Sequence, residues 1–132
     1  MAEDVRWQQR FQDFEKVLLL LDKAIDINEP NIFEQAGLIQ FFEISFELSW
    51  NVMKEYMESE GLKELRSPRD TIKKAFEIDL INDGHLWIEV LENRNLTSYT
   101  YDEARIQKVV DSIKTTYQYI LRDLYNKLKT KK

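Results

Sequence analysis

The hydrophobic positions of this chain recur at helical spacing almost from its first residue. Trp7, Phe11, Phe14, Leu18, Leu21 and Ile25 follow one another at steps of four and three, which places them on one stripe of a helix. The pattern predicts that this helix ends near Asn28, before Glu29 and Pro30. Asn31, with Glu34 three residues later, reads as a capping box, each side chain satisfying an otherwise orphaned backbone N–H. A second helix should run from about Ile32 to Ser59, with Gly61 as its stop. It carries two apolar stripes, one of Ile39, Phe42, Phe46, Trp50, Met53 and Met57 and another of Phe41, Ile44, Leu48 and Val52. Gln40, Glu43, Glu47, Asn51 and Lys54 form its polar stripe. A helix apolar over so much of its girth is central or lies at an interface, and Phe41, Ile44 and Leu48 are the candidates for the interface.

Further along, Ser67-Pro68-Arg69-Asp70 supplies an N-cap, a proline at the first helical position and an acid in the first turn, so a short helix should follow to about Ile78. Asp83 or Gly84 opens another short helix, with Trp87, Val90 and Leu91 facing inward and an end expected near Leu96. Thr100 with Glu103 reads as a further capping box, after which Ile106, Val110, Ile113, Tyr117, Ile120, Leu124 and Leu128 keep the helical period. No internal repeat or low-complexity segment interrupts this order. Three long helices plus two short ones describe an all-α, up-and-down four-helix-type bundle in which the short pair fills one position, a single domain over residues 1–132.

Composition agrees with that reading and narrows the chemistry. A hydrophobic content of 43% suffices for one core, while three Gly and two Pro leave too few turns for many short strands. Absence of cysteine removes disulfides, thiolate metal sites and cysteine nucleophiles. The longest apolar run, Val17 to Leu21, falls far short of the roughly 20 residues of a membrane span, and the opening MAEDVRWQQRF is acidic and polar. A cytoplasmic protein with no membrane contact is expected. The net charge of -5 argues against a general nucleic-acid footprint, and Lys127, Lys129, Lys131 and Lys132 read as a solvated helix end.

One segment does not follow from packing, the stretch from Glu92 to Glu103. The inward period of Trp87, Val90 and Leu91 places Arg94 next on the same face, where a guanidinium needs a carboxylate. Glu43 and Glu47, beside Trp50 on the second helix, are the natural partners, with Asp102 a third. The same spacing is met if Arg94 simply snorkels out at a helix end. Glu43 and Glu47 sit one turn apart, but with no histidine near them in sequence pairing with Arg94 is the better reading than a metal site. No glycine-rich phosphate loop and no Gly-x-Ser-x-Gly turn occurs, and no cofactor is expected.

These residues resemble a known family, the HEPN-type nucleotidyltransferase substrate-binding proteins that accompany minimal nucleotidyltransferases. Its pattern is Arg-Asn, a few small polar residues, His, one residue, Tyr and an acidic pair; this chain reads Arg94-Asn95-Leu96-Thr97-Ser98-Tyr99-Thr100-Tyr101-Asp102-Glu103. Further matches are Gly37-Leu38-Ile39-Gln40, Phe42-Glu43, Phe46-Glu47-Leu48-Ser49-Trp50, Ser67-Pro68-Arg69 and Trp87, so that the likeness extends from about Phe11 to Leu124. It implies a partner subunit in a toxin–antitoxin-like pair, with a small nucleotidyltransferase as partner and a nucleotide or RNA as bound molecule; a homodimer is expected from the surplus apolar surface of the second helix. It also implies Tyr101 as a hydroxyl that the partner enzyme adenylylates. In HEPN ribonucleases the arginine is held to stabilise phosphate while the histidine cleaves RNA by acid–base chemistry, which makes Arg94, Asn95 and Tyr99 the candidates for an endoribonuclease. Three positions depart from the family: Tyr99 replaces the histidine, Phe41 a usual basic residue and Asn51 a common lysine. A phenol titrating near 10 does not replace an imidazole near 6.5 as a proton shuttle, so a binding role is expected ahead of RNA cleavage. From the residues alone, Tyr99 and Tyr101 read equally as amphipathic residues flanking a helix N-terminus. His85 is expected at the surface or in a cap.

Overall fold

The computed structural model describes residues 2–93 and 102–132, with side chains from residue 5 onward. Among the described residues all regular structure is helical: α1 (Ala2–Ile25), α2 (Ile32–Ser59), α3 (Pro68–Glu77), α4 (Gly84–Glu92), α5 (Glu103–Ser112) and α6 (Gln118–Lys129). A π-helical segment, Ile113–Tyr117, joins α5 to α6 through αR backbone, making one long last helix. The expected three long and two short helices are therefore present. Asp22 and Arg122 form an ion pair and the rings of Phe11 and Tyr125 stack at 5.2 Å, which sets α1 antiparallel to α6. At the other end of α1, Arg10 pairs with Glu55 at 2.8 Å and Trp7 meets Tyr56 edge-on at 5.2 Å, setting α1 antiparallel to α2. Gln35 reaches Gln107 at 3.2 Å and Phe42 stacks on Tyr117 at 5.9 Å, so α2 and the last helix run the same way. The α3–α4 pair occupies the remaining position, where Trp87 packs on Phe46 at 5.6 Å.

The ends of the helices show local chemistry at work. Asn31 Oδ1 accepts the Glu34 N–H at 2.8 Å and Glu34 Oε1 accepts the Asn31 N–H at 2.9 Å, the capping box read from sequence. At the far end of α2 the Leu62 N–H bonds the Met57 carbonyl and the Gly61 N–H bonds that of Glu58, each at 3.0 Å. With Gly61 at φ 89°, this is a Schellman stop. The same arrangement ends α3, where Leu80 N–H bonds Ala75 O at 2.8 Å and Asp79 holds the left-handed position at φ 62°. Helix α1 stops at Ile25, three residues before the expected Asn28, because Ile27 N–H turns back to Ala24 O and Glu29 takes φ 52° before Pro30.

Two boundaries near the candidate site differ from expectation. Helix α4 ends at Glu92, where the Asn93 N–H bifurcates between the Glu89 and Val90 carbonyls at 3.1 Å, and does not extend to Leu96. Arg94, which the pattern places next on the face of Trp87, Val90 and Leu91, lies outside the described residues. The cap of α5 is Asp102, whose Oδ1 accepts the N–H groups of Ala104 and Arg105 at 3.1 and 3.3 Å. Thr100 lies outside the described residues; an aspartate is at least as good an N-cap as a threonine, and Asp102 lies adjacent to the first turn.

The apolar stripes become the core as expected. Trp7, Phe11, Phe14, Leu18 and Leu21 are buried, as are Ile106, Val110, Ile113, Ile120, Leu124 and Leu128. The second stripe of α2 is largely absorbed as well: Val52 is buried, and Phe41 and Leu48 are half-buried against the core, leaving Ile44 at the surface. No helix of the described residues is long and apolar enough to cross a membrane.

Candidate functional site

Of the residues expected at the site, Glu43, Glu47, Trp50 and Asp102 lie among the described residues. Glu47 is held in place by its own helix: the Trp50 indole Nε1–H donates to Glu47 Oε2 at 2.8 Å, and Asn51 Nδ2 donates to the Glu47 carbonyl at 2.7 Å. The pocket residues Glu47 and Trp50 are therefore in contact, the indole being half-buried against the core with its N–H turned to the carboxylate. Glu43, one turn earlier, is half-buried. Asp102 serves as the α5 cap and lies 3.8 Å from the Arg105 guanidinium, a role set by the helix it opens. Arg94, Asn95, Tyr99 and Tyr101 lie outside the described residues.

Two residues that were not named as site candidates from the sequence join α4 to the last helix, Glu89 and Tyr117. The Tyr117 hydroxyl donates to Glu89 Oε2 at 2.9 Å across the interface between α4 and the last helix. Burial and that bond to Glu89 raise its pKa above the ordinary phenol value, while a hydrogen bond from the Asn93 side chain opposes the shift. A signal was present in the sequence, because Tyr117 is the one polar-tipped residue in an otherwise aliphatic stripe. His85 stands at the opposite end of α4, exposed beside Ile72, Phe76 and Ile88. Eight residues of helix separate it from Asn93, about 12 Å at the helical rise. Among the described residues no group of three His, Cys, Asp or Glu is placed to hold a metal ion.

The described residues form an all-α bundle of three long helices and a short pair. The sequence pattern of the family described as nucleotidyltransferase substrate binding protein like matches residues 9–130, and the chain belongs to that family. A Haemophilus influenzae protein described as a probable ribonuclease, HepT, is 30% identical over 92 residues, which is 64% of this chain and 63% of that protein. The chain thus spans less than two thirds of that relative's length. A crystal structure of a Thermus thermophilus protein superposes with a TM-score of 0.77 at 28% identity, covering 88% of this chain and 98% of the other.

Proposed function

We propose that this chain is the binding subunit of a two-protein, toxin–antitoxin-like system, a cytoplasmic homodimer that docks a small nucleotidyltransferase and offers it the Arg94–Tyr101 segment. Tyr101 is the acceptor hydroxyl in this reading, and Arg94 is its basic recognition group, with Glu43, Glu47, Trp50 and Asp102 as the other members of the proposed pocket. Ile44, with Phe41 and Leu48 beneath it, contributes to the protein interface. One observation carries the choice of binding over cleavage. The chain's single imidazole, His85, sits at the far end of α4, about 12 Å along the helix from Asn93, and the motif position itself is Tyr99. An adenylyl acceptor needs a hydroxyl, which Tyr101 supplies; RNA cleavage at neutral pH needs a proton shuttle, for which a phenol is ill suited. The test is co-expression with a minimal nucleotidyltransferase, followed by size-exclusion with light scattering and mass analysis of Tyr101. A dimer that captures the enzyme supports the reading, and a monomer that ignores it overturns it.

A second reading, an endoribonuclease toxin built on Arg94, Asn95 and Tyr99, draws on the likeness to a protein described as a probable ribonuclease. Its expected result is growth arrest and RNA degradation that Arg94→Ala abolishes. Tyr99→His separates the two readings further: cleavage appearing only in that variant identifies a binding protein that keeps the remainder of a nuclease pocket.

A further inference from the structure

We propose that the cavity between the start of α1 and the end of α2 is a binding site for a small organic cation, a protonated aliphatic amine, anchored by Glu55. The cavity measures about 400 Å³, within the size range of small-molecule sites, and is lined by Arg6, Glu55, Glu58, Leu62, Lys63 and Glu64. Helix α1 contributes Arg6, the last turns of α2 contribute Glu55 and Glu58, and the turn that follows α2 contributes the rest. The residue that points to a ligand is Glu55, which is 9% exposed and has only one carboxylate oxygen satisfied. An arginine fork ordinarily spans both oxygens of a carboxylate. Here Arg10 donates to Oε1 from both Nε, at 3.2 Å, and Nη2, at 2.8 Å. Oε2 is buried and accepts nothing. A carboxylate withdrawn from water is costly unless its oxygens meet donors, and the charged end of a guest in the cavity that Glu55 lines is a donor of the right kind.

Charge and shape narrow the guest. Among the described residues the lining sets three carboxylates, Glu55, Glu58 and Glu64, against two cations, Arg6 and Lys63. The excess is one negative charge, which a single ammonium cancels. Glu58, half-buried, lies one turn beyond Glu55 on α2, so the same ammonium has a second carboxylate close by. Among the described residues no three acidic or imidazole groups are gathered closely enough to hold a metal ion, which leaves an organic cation as the better fit. Leu62, half-buried against the core, offers an apolar wall to an aliphatic stem. The Schellman bond from its N–H to the Met57 carbonyl, at 3.0 Å, fixes that wall to the end of α2.

The test titrates the isotope-labelled full chain with n-butylammonium chloride at constant ionic strength and follows amide shifts by NMR. Amides from Glu55 to Glu64 should move along a saturable curve with a Kd of about 1 to 10 mM, the strength open to so small a ligand. Tetramethylammonium, of the same charge but without an N–H, should leave them in place. Glu55→Gln keeps an acceptor for Arg10 and puts an amide NH2 where the unmet oxygen was, so it should weaken binding roughly tenfold. Glu58→Gln should weaken it roughly threefold, and Arg6→Gln, which removes a like charge, should strengthen it by about the same factor. Absence of a saturable shift, an equal response to tetramethylammonium, or unchanged affinity in Glu55→Gln overturns the proposal. If Glu55→Gln does not fold, the opposite changes expected of Glu58→Gln and Arg6→Gln decide it: both seen, the site stands; neither seen, it falls.

Discussion

The seam between α1 and α2 and the corner where α4 meets the last helix are built from different materials. Along the seam the contact is carbon against carbon: Phe11, Phe14, Leu21, Leu38 and Met53 are fully buried, and charge appears only at its margin in Arg10 and Glu55. At the corner a short helix is held by its tryptophan packed on Phe46 and by a phenol bonded to one of its carboxylates. The first arrangement resists unfolding; the second sets where one turn of backbone lies. Burial scales with area and is indifferent to small rotations, whereas a hydrogen bond is worth little in net stability yet loses its value within a fraction of an ångström.

The largest expected effect falls on the seam. Phe14→Ala should lower unfolding free energy by about 3 to 5 kcal/mol, read from urea midpoints with an unchanged slope. Next comes its charged margin. Arg10 gives Glu55 Oε1 two bonds, at 2.8 and 3.2 Å, while Oε2 is buried without a partner, so Arg10→Ala strands a carboxylate that is already under-satisfied. The expected loss is about 2 kcal/mol, and replacing both residues by leucine should recover most of it. If Arg10→Ala is neutral, the margin of the seam matters no more than a surface pair.

Alkaline pH separates the phenols. Tyr117 and Tyr56 are raised chiefly by burial, and Tyr125 chiefly by its bond to Glu15. A phenol whose folded pKa is raised gives up its proton first in the unfolded chain. Its contribution is thus fully present below the unfolded value near 10 and is lost as pH rises through the folded one. Stability should fall as pH rises above the unfolded value near 10, and Tyr125→Phe should flatten that fall; an identical slope in the variant refutes the assignment. The smallest effect belongs to the two Schellman stops. Asp79→Gly should raise the thermal midpoint, a gain of about 0.5 to 1 kcal/mol. At Gly61 an added Cβ meets nothing within 4 Å, so the loss of about 1 kcal/mol expected for Gly61→Ala is backbone strain alone.

Much of the fold was legible because its signals are local. The stripe from Trp7 to Leu21 and the caps at Asn31, Ser67 and Asp83 depend on residues within one turn, and each is realised. What escaped depends on competition or on distance. Thr100 and Asp102 are both sound N-caps, and sequence does not rank two candidates this close together. The hold of the last helix on α4 comes from Glu89 meeting Tyr117, a neighbour 28 positions away in sequence. Within the site, the Glu47 and Trp50 contact lies one turn apart and is in principle readable. The bond from Tyr117 to Glu89 is not, since the spacing of Tyr117 continues the core stripe without a break.

The π segment also says something about how this helix can change length. Upstream of it, the last helix lies beside the start of α2, with Gln107 meeting Gln35; downstream it lies along α1, with Tyr125 on Phe11 and Arg122 on Asp22. A straight helix presents one stripe to one neighbour, while a helix with an extra residue at its middle presents two, turned relative to each other. Removing one residue between Ile113 and Tyr117 would leave a perfectly good helix and a bundle whose two halves face the wrong partners, so single-residue gaps in this chain's relatives are least tolerable where the helix is most irregular.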